Sequence, residues 1–97
     1  MQETTKKIVH VLQEFPAVKK AWLLGSYARG EDTPESDIDL LIEVYRENRF
    51  TLFDIAEIQE HLRQVMNRNV DVVMLRALAP HVKERIRKDQ KLIYKAD

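Results

Sequence analysis

Two aspartates one residue apart stand at the start of the most strand-like stretch of this 97-residue chain. They are Asp37 and Asp39, and the apolar run that contains them continues to Val44 with many branched side chains. Ile38 to Val44 therefore predicts a β-strand. Because alternate side chains of a strand point to opposite faces, we expect both carboxylates on one face. Like charges held that close repel each other, and a divalent cation would remove the repulsion.

The rest of the chain alternates between helical and strand-like patterns. The expected helices run from Ile8 to Phe15, ended by Pro16, from Tyr27 to Gly30 as a single turn, from Leu52 to Met66, and from Pro80 to about Lys88. The expected strands are Ala21–Leu24, Ile38–Val44, Val70–Leu75 and Leu92–Tyr94, and Asp32–Ser36 is expected to be a loop. Thr51 followed by Asp54 resembles a capping box at the start of the third helix.

Composition restricts the class of protein. A chain of 11.5 kDa is most simply one domain, here residues 1–97, with a single modest core. It has no cysteine, which excludes disulfides and thiolate metal sites. No apolar run approaches the length of a membrane helix, and the amphipathic N-terminus, which carries acids, fits neither a secretory signal nor a transit peptide. Cytoplasm is the default expectation.

Charge is segregated although the net charge is zero. Residues 31–60 hold ten acids and two bases, whereas residues 76–97 hold seven bases and three acids. Taken alone, such runs are most often solvated surface. A neutral chain with a modest basic tail gives little support for direct nucleic-acid binding, which we do not expect.

A third acid repeats the arrangement of the first two. Asp71 is embedded in the branched apolar residues of Val70 to Val73, so three carboxylates could face one cleft. Mg²⁺ accepts one or two carboxylates together with substrate phosphates, which suits such a set. The alternatives are plain: Asp37 and Asp39 could be solvent-facing acids or a cap near Ser36, and Asp71 an exposed acid on an alternating strand.

A glycine upstream adds a possible phosphate site. Gly25 ends an apolar strand and is followed by Ser26. At the start of a helical turn, their backbone N–H groups and the Ser26 hydroxyl could approach phosphate oxygens. The alternative is a simple turn with Ser26 as the helix N-cap.

These segments together resemble one family. Gly25-Ser26-Tyr27-Ala28-Arg29-Gly30, then five residues, then Ser36-Asp37-Ile38-Asp39-Leu40 is similar at every fixed position to the signature of the minimal nucleotidyltransferases of the DNA polymerase β superfamily. The resemblance extends over essentially the whole chain. It implies an α/β (α+β) fold of the polymerase-β-like kind, with a small mixed sheet flanked by helices.

The same resemblance implies a site and a reaction. Asp37, Asp39 and Asp71 would be catalytic and would hold one or two Mg²⁺ ions. The phosphates of a nucleoside triphosphate, most simply ATP, would lie against Gly25 and Ser26, and Arg29 and Ser36 complete the nucleotide-binding set. Small members of the family are usually paired with a HEPN-domain toxin and act as its antitoxin, some by adenylylating it.

Two further readings stay open beside this one. The chain could be a binding module that neutralises its partner by contact alone, although nothing in the acid set is replaced. Transfer to a small molecule such as an aminoglycoside is typical of larger relatives with an added helical domain. Core packing is the favoured role of Trp22 and Tyr27 over base stacking, and Phe50 and Phe53 could join a docking surface. His10, His61 and His81 are too scattered for a recognisable zinc motif.

Overall fold

A four-stranded sheet organises the computed structural model, which describes residues 3–96; Met1, Gln2 and Asp97, part of the expected domain, lie outside the described residues. The elements in order are α1 (Glu3–Leu12), β1 (Val18–Leu24), α2 (Gly25–Arg29), β2 (Ile38–Val44), α3 (Leu52–Met66), β3 (Val70–Met74), α4 (Pro80–Arg87) and β4 (Lys91–Lys95). Short 3₁₀ turns occupy Glu47–Arg49 and Leu75–Ala77.

The sheet is mixed, with strand order β3-β2-β1-β4. β1 runs antiparallel to β2 and to β4, whereas β2 and β3 are parallel. Parallel neighbours need a crossover connection, and α3 supplies it. The expected small mixed sheet flanked by helices is confirmed.

One face of the sheet builds the core with α1 and α3. Alternate residues of β2 that belong to the core cluster, Ile38, Leu40, Ile42 and Val44, are fully or almost fully buried. They pack with fully buried side chains of the two helices, namely Ile8, Leu12, Ile58 and Leu62. The intervening residues of β2 therefore face the opposite side of the sheet.

The predicted element positions are confirmed, but several ends differ. β2 and α3 have the expected bounds. α1 ends at Leu12 rather than Phe15, because the chain already bends into a turn in which the Phe15 N–H donates to the Leu12 carbonyl. α2 begins at Gly25 rather than Tyr27, and Gly30 ends it in the left-handed conformation, with φ of 73°. β1 and β4 are longer than expected, and β3 stops at Met74.

Only the middle of α3 is buried against the core. Leu52 and Val65, near its two ends, are 81% and 40% exposed, whereas Ile58 and Leu62 are fully buried. The helix is longer than the strip of sheet that it covers, so only its middle turns meet the core.

A side chain of α3 also protects an edge of the sheet. β3 is an edge strand, and the N–H of Val72 donates to Oε1 of Gln59 over 2.9 Å. This bond satisfies a strand donor that no neighbouring strand can reach.

Among residues 3–96, none of the helices is both long and apolar enough to traverse a bilayer.

The start of α3 is fixed by the predicted capping box. The Thr51 hydroxyl accepts from the Asp54 N–H, and the Asp54 carboxylate accepts from the Thr51 N–H over 2.7 Å. Both partners lie at the surface, where water competes for the same bonds. The cap sets where the β2–α3 connection ends.

Replacing the cap residue should loosen this helix start. We expect Thr51→Ala to lower the free energy of unfolding by about 1 kcal/mol, because one orphan N–H loses its acceptor. Urea unfolding followed by circular dichroism measures the change. Glu57→Gln, an exposed change on the same helix, should stay within about 0.5 kcal/mol of wild type. Equal losses in the two variants would contradict a role for the cap.

Candidate active site

Two of the predicted acids lie side by side on the sheet. Asp39 of β2 and Asp71 of β3 are direct partners in the parallel register. Paired residues of neighbouring strands project to the same face, and this face is opposite the one that packs on α1 and α3. Leu24, the last residue of β1, pairs with Asp39 from the other side. The strands therefore bring the two carboxylates together next to the start of α2.

Asp37 is placed differently from the expectation. β2 begins at Ile38, so Asp37 is an exposed residue of the preceding loop and does not share a strand face with Asp39. Its charge still reaches the same site, because it is one of the causes that raise the pKa of Asp39. Burial raises the pKa of the Asp39 carboxyl above its ordinary value, and the charges of Asp71 and then Asp37 raise it further.

Gly25 brings backbone close to this acid. Its φ is +61°, a backbone conformation that residues with a side chain rarely adopt. A Cβ atom built on Gly25 would lie 3.5 Å from Oδ2 of Asp39. The first turn of α2 therefore starts directly beside the carboxylate. The expected adjacency of a glycine turn and an acid cluster is present in the fold.

The other residues predicted to contact nucleotide have local partners. Ser26 lies inside α2 and does not cap it, since the N-cap is Leu24 and no side chain fills that role. The N-cap alternative for Ser26 was therefore wrong. Nε of Arg29 donates to Glu31 over 2.9 Å, and this hydrogen bond raises the pKa of the exposed guanidinium. Oγ of Ser36 accepts from the Thr33 N–H over 2.8 Å and organises the loop before Asp37.

Sequence reasoning missed Arg68, which joins the site segments. Its guanidinium donates to the hydroxyl of Tyr27 in α2 and to the carbonyl of Ser36 over 3.4 Å, and it lies 5.8 Å from the centre of the Tyr27 ring. Arg68 also stands two residues before β3, which carries Asp71. One side chain thus connects α2 with the loop that precedes Asp37.

Arg63 of α3 was also missed. Its Nη2 atom lies 3.9 Å from Oδ1 of Asp71, and its Nε is buried with no hydrogen-bond partner among residues 3–96. Both side chains are partly exposed, so the pair adds little stability by itself. It places a positive charge beside the third acid. The pairing partner lies eight positions away and on another element, so no local spacing pattern indicates it.

Among the described residues, Asp37, Asp39 and Asp71 do not form a closed metal-binding site. Within the part of the chain that the structure describes, no three acid or histidine side chains converge tightly enough to enclose a metal ion. The chemistry of the set nevertheless fits Mg²⁺, because Mg²⁺ prefers oxygen ligands. Burial and then the charges of Asp71 and Asp37 raise the pKa of Asp39, and a bound cation would offset both effects.

The aromatic residues near the turn have separate roles. Tyr27 is buried, as the core-packing interpretation requires, whereas Trp22 of β1 is only partly covered. His10 and His81 are exposed, and the partly buried His61 packs edge-on against Phe15.

The chain matches a known family over nearly all of its length. The family model described as Polymerase beta, Nucleotidyltransferase matches residues 6–97. A proposed protein adenylyltransferase of Methanocaldococcus jannaschii is 36% identical over 95 residues, which cover 97% of this chain and 93% of that protein.

Solved structures show the same fold at low sequence identity. One chain of a crystal structure of a toxin–antitoxin with AMP-PNP superposes with a TM-score of 0.80 at 22% identity, covering 96% of this chain and 74% of that one. One chain of a structure of a tri-AMPylated Shewanella oneidensis HEPN toxin in complex with MNT antitoxin superposes with a TM-score of 0.74 at 20% identity. The match covers 96% of this chain and 71% of that one.

Removing the charge of Asp39 should stabilise the protein in the absence of metal ions. Because the Asp39 pKa is raised in the fold, the folded state holds more protons than the unfolded chain, and stability falls as pH rises from the ordinary aspartate value of 3.8 through the folded value. We expect Asp39→Asn to raise the melting temperature in EDTA at neutral pH by a few degrees, and the gain to vanish below pH 3.8. Glu57→Gln is the control. Equal melting temperatures at neutral pH would contradict the repulsion.

The Arg68–Tyr27 contact should appear as a coupling energy. We expect Arg68→Met to cost about 1 to 3 kcal/mol of unfolding free energy, because a part-buried charged hydrogen bond is lost. Tyr27→Phe keeps the ring and removes the hydroxyl, and the double variant should lose less than the sum of the two. Urea unfolding of the four proteins measures the coupling. Strict additivity would show that the two groups do not interact.

Proposed function

Because this chain belongs to the polymerase β nucleotidyltransferase family, we propose that it transfers AMP from ATP to a hydroxyl group of a HEPN-domain toxin. The transfer depends on Mg²⁺ and inactivates the toxin, so the chain acts as its antitoxin. The observation that carries the proposal is the acid pair in register, Asp39 with Asp71, beside the Gly25 turn.

Similar proteins support the nucleotide and the acceptor class. The M. jannaschii relative carries the name of a proposed protein adenylyltransferase. Two structural neighbours are a toxin–antitoxin with AMP-PNP and a HEPN toxin that is tri-AMPylated in complex with an MNT antitoxin.

The carboxylates of Asp37, Asp39 and Asp71 would hold the metal. When bound, Mg²⁺ polarises the α-phosphate and lowers the pKa of the attacking hydroxyl. The bond from the acceptor oxygen to the α-phosphorus forms, the bond to the β-phosphate oxygen breaks, and pyrophosphate leaves. Asp71 is the nearest expected acceptor of the hydroxyl proton.

The start of α2 would bind the phosphates. Gly25 lets the backbone approach without a side chain in the way, and the first N–H groups of a helix have no partner within it. The Ser26 hydroxyl adds a donor. Arg29 would have to exchange Glu31 for a phosphate oxygen, and Ser36 would act by holding the loop that carries Asp37. We propose a cytoplasmic location, where ATP and Mg²⁺ are both available.

The test is intact-mass measurement of the HEPN protein after incubation with this chain, ATP and Mg²⁺. Each transferred AMP should add about 329 Da. Asp39→Asn should slow transfer at least 100-fold, because a lost metal ligand removes several kcal/mol of transition-state stabilisation. Omitting Mg²⁺ should have the same effect.

A second measurement separates chemistry from contact. The modified toxin should stay inactive after this chain is removed, whereas inhibition by contact alone should end on separation. The Asp37→Ala, Asp39→Ala double variant is the matched control, since it keeps the docking surfaces and removes two acids. An unmodified toxin that both forms inhibit equally would overturn the enzymatic proposal and leave a contact antitoxin.

A further inference from the structure

A groove lies at the opposite end of β2 from the acids. It has a volume of about 370 Å³ and is lined by Pro16, Ala17, Tyr45, Arg46, Arg49, Phe50 and Asp54. We call it the distal groove. Tyr45 follows the last residue of β2 and lies six positions after Asp39, which corresponds to about 20 Å along an extended chain. The distal groove is therefore too far from the carboxylates to hold the nucleotide that reacts there.

Exposed apolar side chains stand beside this groove. Phe53 is 86% exposed and Leu52 is 81% exposed, and in the chain both lie between the groove residues Phe50 and Asp54. Tyr45 is 49% exposed and lies within the groove itself. Large exposed apolar side chains next to a groove are typical of protein interaction sites. The core does not use them, since Ile58 and Leu62 already fill the space under α3.

The charge of the groove selects the partner's chemistry. Arg46 and Arg49 are exposed, and within residues 3–96 neither takes part in an ion pair. Asp54 is the one acid of the lining, and its carboxylate is already bonded to Thr51. Lys19 adds a positive charge 5.8 Å from the centre of the Tyr45 ring. The surface is apolar and positive, which complements an apolar segment that carries acids.

We propose that the distal groove docks an acidic segment of the HEPN partner, with an aromatic or aliphatic side chain seated beside Phe53 and carboxylates on Arg46 and Arg49. The identity of the partner rests on the proposed function. Docking at this end holds the partner on the chain while its hydroxyl reaches the acids at the other end.

A second copy of this chain is a poorer occupant. Its own acidic exposed stretch, residues 31–37, lies at the catalytic end of the sheet. Docking of that stretch into the distal groove would join copies head to tail and would cover Asp37. Such head-to-tail contacts give rings or open chains rather than a two-fold dimer.

Binding should be measured on a chain that cannot react. Starting from the Asp37→Ala, Asp39→Ala form, we expect Phe53→Ala to weaken binding of the HEPN protein about 10- to 30-fold, as loss of an aromatic anchor does. Arg46→Glu with Arg49→Glu should weaken it at least as much and reduce its salt dependence. Calorimetry at two salt concentrations measures both. All three positions are exposed, so the variants should keep the parent melting temperature.

Matched controls stand elsewhere on the surface. Val65→Ala removes another exposed apolar side chain from α3, and Arg85→Glu reverses an exposed arginine of α4. Both should bind like the parent. In the chain with intact acids, Phe53→Ala should raise KM for the HEPN protein and leave kcat unchanged, which a fault in the catalytic site would not produce.

The outcomes separate this inference from the proposed function. Parent-like binding by the Phe53 and arginine variants would overturn the docking surface, even if AMP transfer is seen. Weakened binding without any transfer by the intact chain would support docking and overturn the enzymatic proposal. Absence of binding by the parent would overturn the partner assignment. Self-association that Phe53→Ala abolishes, with partner binding unchanged, would assign the groove to a second copy and overturn the inference.

Discussion

The parallel pairing of β2 and β3 is the constraint on which the site depends. It sets Asp39 opposite Asp71, so the fold itself holds two like charges together, and burial and then the neighbouring charges raise the pKa of Asp39. The crossover helix α3 makes this pairing possible, and its own packing fixes the register. A slip of one residue in either strand would turn the acid of that strand to the core face. The hydrophobic face of the sheet therefore protects the geometry of the polar one.

The stabilising contacts around the acids come from arginines rather than from the acids themselves. Arg68 connects α2 with the loop before Asp37, and Arg63 lies beside Asp71. Neither arginine is bonded to Asp39 among residues 3–96, and the Asp39 carboxylate lies half-buried on the face of the sheet opposite α1 and α3.

Sequence patterns predicted the elements that have strong local signals. β2 has continuous branched residues, and α3 has a capping box, so both bounds were read correctly. Phe15 and Leu52 both fit a helical spacing, but Phe15 lies in the turn after α1 and Leu52 is exposed to solvent. Spacing alone does not show where a helix or the core ends. The roles of the acids, Gly25, Ser26, Arg29 and Ser36 in binding remain predictions. The contact of Arg68 could not be predicted from the sequence, since its partner Tyr27 lies 41 positions away.

The hydrogen bond between Gln59 and Val72 has a consequence for how the sheet can grow. A sheet of four strands has two free edges, and here they are unequal. On the β3 side, a side chain from the chain's own helix occupies the place that an incoming strand would use. On the β4 side, Lys91 and Lys95 stand at the two ends of an edge strand, and a neighbouring strand of the same charge would be repelled. Strand addition is therefore opposed next to Asp71 by a bond, whereas at the far edge the two lysines oppose only the pairing of β4 with a strand of its own charge, such as β4 of a second copy.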